Sequence, residues 1–157
     1  MHSIREEIEI KAPARRIWAA AHEDITSVPL WSRNLSRCEI VGPGPVQTGT
    51  SLRFDIKLPV GRTVTMNLRV DEYEPFERCA GTIEHPGMQG TWCWTYRELA
   101  MRTQVSYETE FNLSGLLRLT MPLVEHELRT VTRHNLAALK AYVESGQRPT
   151  KATNRAS

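Results

Sequence analysis

Residues 115–144 read GLLRLTMPLVEHELRTVTRHNLAALKAYVE, and this stretch decides the fold. Leu117, Met121, Val124, Leu128, Val131, Leu139 and Tyr142 recur at steps of three, four or eight, which places them on one face of a helix. Arg118, Glu127, Arg129 and Lys140 lie away from the centre of that face. The spacing predicts one long amphipathic helix from Gly115 to about Ser145, stopped by Ser145-Gly146. Pro122 should kink or restart it after its first turns, because an interior proline removes a helical hydrogen bond. An apolar helix face of this length has to be buried against another element.

Upstream, the apolar period changes from helical to two. Leu52, Phe54 and Ile56 alternate with Arg53, Asp55 and Lys57; Val64, Met66, Leu68 and Val70 alternate with Thr65, Asn67, Arg69 and Asp71. These are half-buried antiparallel strands, one face wet and one dry. Cys38–Val41 forms a strand ending at Gly42-Pro43-Gly44-Pro45, and Pro59 to Gly61 makes a turn. Further strands fall near Arg78–Glu84, Gln89–Leu99 and Thr103–Asn112, with turns at Glu74-Pro75 and Pro86-Gly87. At the other end, Ile4, Ile8 and Ile10 share the dry face of a first strand over Ser3–Ile10, with Glu6 as a polar misfit on that face. Pro13 opens a short helix carrying Ile17, Trp18 and Ala21, and a second short helix covers Ile25–Ser32 with Pro29 limiting it. The order predicts an α+β helix-grip fold: a curved antiparallel sheet of six or seven strands wrapped around one long C-terminal helix. A strongly curved sheet does not close fully on a single helix, so a cavity is expected between them.

The bulk composition bounds the function. With 157 residues the chain fits one domain: residues 1–145 as a single unit, with 146–157 as a disordered tail. Twenty basic and eighteen acidic residues give a net charge of +2, with no block of like charge, which argues against a nucleic-acid groove. No apolar run approaches the roughly 20 residues that span a bilayer, and the N-terminus lacks the apolar core of a signal peptide. A cytoplasmic protein without stable membrane insertion is expected, and a homodimer stays open. Cys38, Cys79 and Cys93 form no CxxC pair and read as free buried thiols. The five histidines show no HxxxH spacing; His22 ends the first short helix, and His126 falls opposite the apolar stripe. Neither a metal nor a cofactor is expected.

Four segments carry a resemblance: IEIKAPARRIWAAAHEDITSVPLWS at 8–32, VDEYEPFERCA at 70–80, WTYREL at 94–99 followed by VSYETEF at 105–111, and the 115–144 stretch. Together and in order, the chain resembles the polyketide cyclase/dehydrase-like members of the START/Bet v (SRPBCC) superfamily. The resemblance implies the helix-grip fold and a deep hydrophobic cavity. It does not imply one activity, because the family spans aromatase/cyclases, lipid and sterol carriers and hormone receptors, and a fold does not fix a function. It also implies that Trp31 lies near the mouth of the pocket.

The expected ligand-binding set is Trp31, Phe54, Met66, Trp92, Trp94, Tyr96, Tyr107, Leu117, Met121, Glu125 and Leu128. Trp92, Trp94 and Tyr96 alternate along one strand and project from one face, where flat side chains suit rings; they either line a cavity or fill the core. Methionine adapts to irregular apolar shapes, which puts Met66 and Met121 with Leu117 and Leu128 on the sheet–helix seam. Glu6 and Glu125 are the carboxylates expected nearest the cavity, where desolvation would raise their pKa. The hydroxyls of Tyr96 and Tyr107 would orient a ligand at lower cost than a buried charge. Three functions fit: binding or transport of a small hydrophobic metabolite such as a lipid or polyketide, a metal-free polyketide cyclase, aromatase or dehydratase, and a regulatory interaction module. No catalytic residue is assigned. The absence of a strong acid–base pair points to binding.

Overall fold

The structure is a computed structural model that describes residues 1–58 and 61–146. The expected tail beyond Gly146 and the Pro59 end of the Pro59–Gly61 turn lie outside the described residues. Seven strands follow the two-residue periodicity: β1 (His2–Ile10), β2 (Leu35–Val41), β3 (Ser51–Lys57), β4 (Thr63–Glu74), β5 (Arg78–His85), β6 (Met88–Leu99) and β7 (Arg102–Leu113). They form one sheet in the order β1-β7-β6-β5-β4-β3-β2, and every neighbouring pair is antiparallel. Consecutive strands thus pair as hairpins except β1, which closes the far edge against β7 and leaves room for the helices between β1 and β2. Bulges at Leu35/Arg37 in β2 and Val70/Glu72 in β4 interrupt the ladders, and such insertions bend and twist a strand. The connection between β6 and β7 is a tight turn at Ala100-Met101, closed by the Leu99–Arg102 pair.

The two short helical segments after β1 are present but irregular. α1 (Ala14–Trp18) starts after Pro13, and its first N–H, on Ala14, donates to the Glu98 carboxylate at 2.8 Å. A π-helical turn, Ala19–Glu23, continues it, and a 3-10 helix covers Ile25–Leu30. At the C-terminus, the expected single helix is two elements. Gly115–Thr120 is a 3-10 helix, and α2 (Met121–Glu144) begins after it. Pro122 therefore stands in the first turn of α2, where its missing N–H costs nothing, and it does not kink an established helix.

α2 lies across the dry face of the sheet and packs on β1. The core is continuous at the end where its C-terminal half meets α1: Ile10, Ile17, Trp18, Val105 and Leu139 are fully buried, with Tyr96, Tyr142 and Val143 nearly so. Ile4 and Phe111 with Leu113 form a second, smaller cluster, covered by Met121, Val124 and Leu128. Leu116, Leu117, Leu119 and Leu123 are exposed on the 3-10 helix and the first turn of α2.

Candidate functional site

Between the core end and the opposite end of the sheet, the two layers do not meet. A partly enclosed cavity of about 210 Å³ opens there. Its wall takes stripes from several elements: Leu52, Phe54 and Ile56 of β3, Met66 and Leu68 of β4, Trp92 and Trp94 of β6, Tyr107 and Thr109 of β7, and Leu128, Val131 and Asn135 of α2. The alternation read in the sequence explains this, since residues two apart on a strand face the same side. Trp92 sits opposite Gly81 and Thr109 in the ladder, and Trp94 opposite Cys79 and Tyr107. The Trp94 and Tyr107 rings lie 5.0 Å apart between centroids.

Seven of the expected ligand-binding residues line this cavity: Trp31, Phe54, Met66, Trp92, Trp94, Tyr107 and Leu128. Four do not. Tyr96 shares the inward face with Trp92 and Trp94 but lies one step beyond the open space, packed on Trp18 at 5.3 Å within the solid core. Leu117 is 46% exposed, because a 3-10 helix turns every three residues and carries it off the face that an α-helical period would give it. Met121 covers the second cluster instead. Glu125 lies at the surface, 3.5 Å from Arg129 and 3.4 Å from His2. Glu6 also turns from the cavity: its carboxylate accepts a hydrogen bond from Arg133 Nε at 2.6 Å, with Arg129 4.0 Å away. Both arginines reach over the edge strand from α2.

His22 is not among the expected binding residues, yet its ring is in the cavity wall. It belongs to the π turn, whose period differs from that of the α1 helix before it. Such turns recur at functional positions, but no apolar periodicity marks one in a sequence. The ring is 6% exposed and lies between Trp18, tilted at 58° with centroids 4.5 Å apart, and Trp94, edge-on at 81° and 5.4 Å. Its Nε2 lies 2.7 Å from the Tyr96 hydroxyl.

The electrostatics of the wall are simple. None of the described residues that line the cavity is an Asp, Glu, Lys or Arg. Burial lowers the His22 pKa to about 3, so the ring is neutral at any pH near seven. Burial likewise raises the Tyr107 hydroxyl and the Cys79 thiol to about 12 each. At the α2 end, Asn135 Nδ2 donates to Asn34 Oδ1 at 2.8 Å, and Asn135 Oδ1 accepts from the Arg33 N–H at 3.3 Å. Among the described residues, no three His, Cys, Asp or Glu side chains gather in a way that could hold a metal ion. No helix among them is long and apolar enough to cross a membrane.

A seven-stranded antiparallel sheet that grips one C-terminal helix over an apolar cavity is a helix-grip domain. Residues 1–144 match the family model described as polyketide cyclase / dehydrase and lipid transport, and the chain belongs to that family. No curated protein matches the chain. Among solved structures, it is similar to TTHA0849 from Thermus thermophilus, with a TM-score of 0.79 at 17% identity over 94% of this chain and 100% of that one. It is also similar to a START superfamily protein from Mycobacterium smegmatis, with a TM-score of 0.76 at 18% identity over 94% and 100% of the two chains. The di-domain ARO/CYC protein StfQ of the steffimycin biosynthetic pathway gives a TM-score of 0.75 at 12% identity, over 91% of this chain and 51% of that one. At these identities the likeness shows a shared fold.

Proposed function

We propose that the protein binds, and carries, one small hydrophobic molecule in the cavity between its sheet and α2. The observation that supports this most directly is the cavity itself, about 210 Å³ of space walled by aliphatic and aromatic side chains. A well-packed domain leaves few voids larger than a water, and dry apolar space of this size is where a guest gains contacts and sheds water. Pockets for drug-sized ligands span roughly 300–1,000 Å³. The guest here is correspondingly small, on the order of two fused rings or a short acyl chain of a lipid or polyketide.

A cyclase, aromatase or dehydratase reading draws support from the family description and from the ARO/CYC fold neighbours. It needs a group in the wall that exchanges a proton near neutral pH. The three titratable side chains of the wall, His22, Cys79 and Tyr107, are displaced to about 3, about 12 and about 12, which favours holding over proton transfer. The interaction-module reading rests on the exposed leucines at 116, 117, 119 and 123.

Native mass spectrometry of the protein purified from its own host tests the binding reading. A single small-molecule adduct, released on denaturation, is the expected result. A bare polypeptide mass, together with no uptake of small aromatic hydrocarbons by the purified chain, would rule the reading out.

A further inference from the structure

The polar groups of the cavity wall are unevenly used. The acceptor oxygens of Asn34 and Asn135 are taken, by Asn135 Nδ2, by the Arg33 N–H and by the Ser32 hydroxyl. The Thr109 hydroxyl donates to the Thr91 carbonyl at 2.9 Å. Some donors, by contrast, have no acceptor among the described residues. The Trp92 indole N–H is buried and unpartnered, and a buried donor left unmade costs on the order of 1–3 kcal/mol. His22 is the second case, and its geometry says more.

The Tyr96 hydroxyl is deeply buried, and its one hydrogen-bond partner among the described residues is His22 Nε2. If Nε2 carried the proton, the phenol would have to accept, and its own O–H would be stranded in the core. With Tyr96 as the donor, Nε2 is the acceptor and a neutral ring must carry its proton on Nδ1. Nδ1 makes no hydrogen bond to a described residue. Nor does it belong with the sealed, unpartnered polar atoms of the interior, which are Trp92 Nε1 and the Tyr142 hydroxyl. The ring borders the cavity, and Tyr96 takes the edge turned toward the core. That leaves the opposite edge, with Nδ1, as the one to border the cavity.

We propose that His22, held by Tyr96 in the tautomer that carries its proton on Nδ1, is the polar anchor of the cavity and selects an uncharged guest bearing an acceptor oxygen, such as a ketone. The proposal rests on the binding reading above and names what that site prefers. A hydrocarbon leaves the N–H without a partner. A carboxylate accepts from it but brings a charge into a wall with no cation to meet it, and desolvating that charge outweighs one hydrogen bond. Tyr96 touches no guest; it acts as a positioning residue through His22.

A shape-matched trio tests this on the full chain: tetralin, its ketone 1-tetralone, and the anion 1,2,3,4-tetrahydro-1-naphthoate, titrated by calorimetry at pH 7. The ketone should bind about 2- to 10-fold more tightly than the hydrocarbon, the worth of one net hydrogen bond, and the anion should bind more weakly than either. In His22→Phe the ketone preference should vanish while tetralin still binds. In Tyr96→Phe, which keeps the ring in the core, nitrogen NMR of the His22 side chain should show loss of the single Nδ1–H tautomer together with a reduced ketone preference. A merely structural Tyr96 would lower stability and leave that tautomer unchanged. Equal binding of ketone and hydrocarbon to the wild-type chain overturns the anchor and leaves the cavity reading standing. Failure of all three to bind overturns both.

Discussion

Gly81 has no side chain because its neighbours leave no room for one. It pairs with Val70 beside the β4 bulge and with Trp92 across β5–β6. A Cβ there would overlap the Arg69 carbonyl and come within 2.6 Å of the Trp92 ring. Gly81→Ala should therefore cost about 2–3 kcal/mol, read as a lower midpoint in urea unfolding. His22 makes a second prediction at this scale. Its pKa is 6.5 when unfolded and about 3 in the fold, so between those values the unfolded chain binds the extra proton. Stability must then rise with pH across that window and be lost as the pH falls. By pH 5 the loss is about 2 kcal/mol. A His22→Phe chain should show a visibly flatter stability profile from pH 6.5 to 5; an unchanged slope would remove burial as the cause. The inward run Trp92, Trp94 and Tyr96 is legible from alternation alone. The point along it where the cavity ends is not, because that depends on how far Trp18 reaches from a helix distant in sequence.

Elements are legible where one period holds and obscure where it changes. The strands of the sheet lie within a few residues of their expected positions, because most of them alternate and have a Gly or Pro close to at least one end. A single period of 3.6 over residues 115–123 misses the 3-10 turn that the chain uses first, and this turn moves Leu117 off the seam, while Met121 stays on it but packs on the second cluster away from the cavity. Pro122 provides a direct check. At the first turn of α2 it replaces no hydrogen bond, so Pro122→Ala should change stability by less than ~0.5 kcal/mol. A proline in a helix interior would instead cost about 3 kcal/mol, and a large stabilising effect of the alanine would mean that the helix begins earlier. Glu6 belongs to the same scale. Its misfit on the dry face is visible in β1, but its hydrogen-bond partner Arg133 lies on α2, 127 residues on, and no local pattern announces it. Since Arg133 is mostly exposed, Arg133→Ala should cost under about 1 kcal/mol in thermal denaturation.

At the scale of the molecule, sheet and helix meet in two different ways. Near α1 they are filled solid by Trp18, Leu139 and Val143; toward β3 and β4 they stand apart around the cavity. Substitutions in the two halves should then separate stability from binding. Leu139→Ala, at a fully buried position, should cost about 2–5 kcal/mol, the range seen for buried leucines, and leave the ranking of guests intact. Val131→Phe projects a ring into the open space. It should lower the affinity for tetralin at least ~10-fold with the melting temperature unchanged or raised; tetralin binding at wild-type strength would place the guest elsewhere.

This separation bears on how such a chain can change over evolutionary time. Positions such as Met66, Leu68 and Val131 border the open chamber on one side, so their replacements are screened by what they exclude from it and, at Met66 and Leu68, also by how they pack on the core. Descendants of one ancestor can thus come to shape unlike chambers while the Trp18 end stays as it was, and a designer wishing to reshape this one would begin with those three side chains.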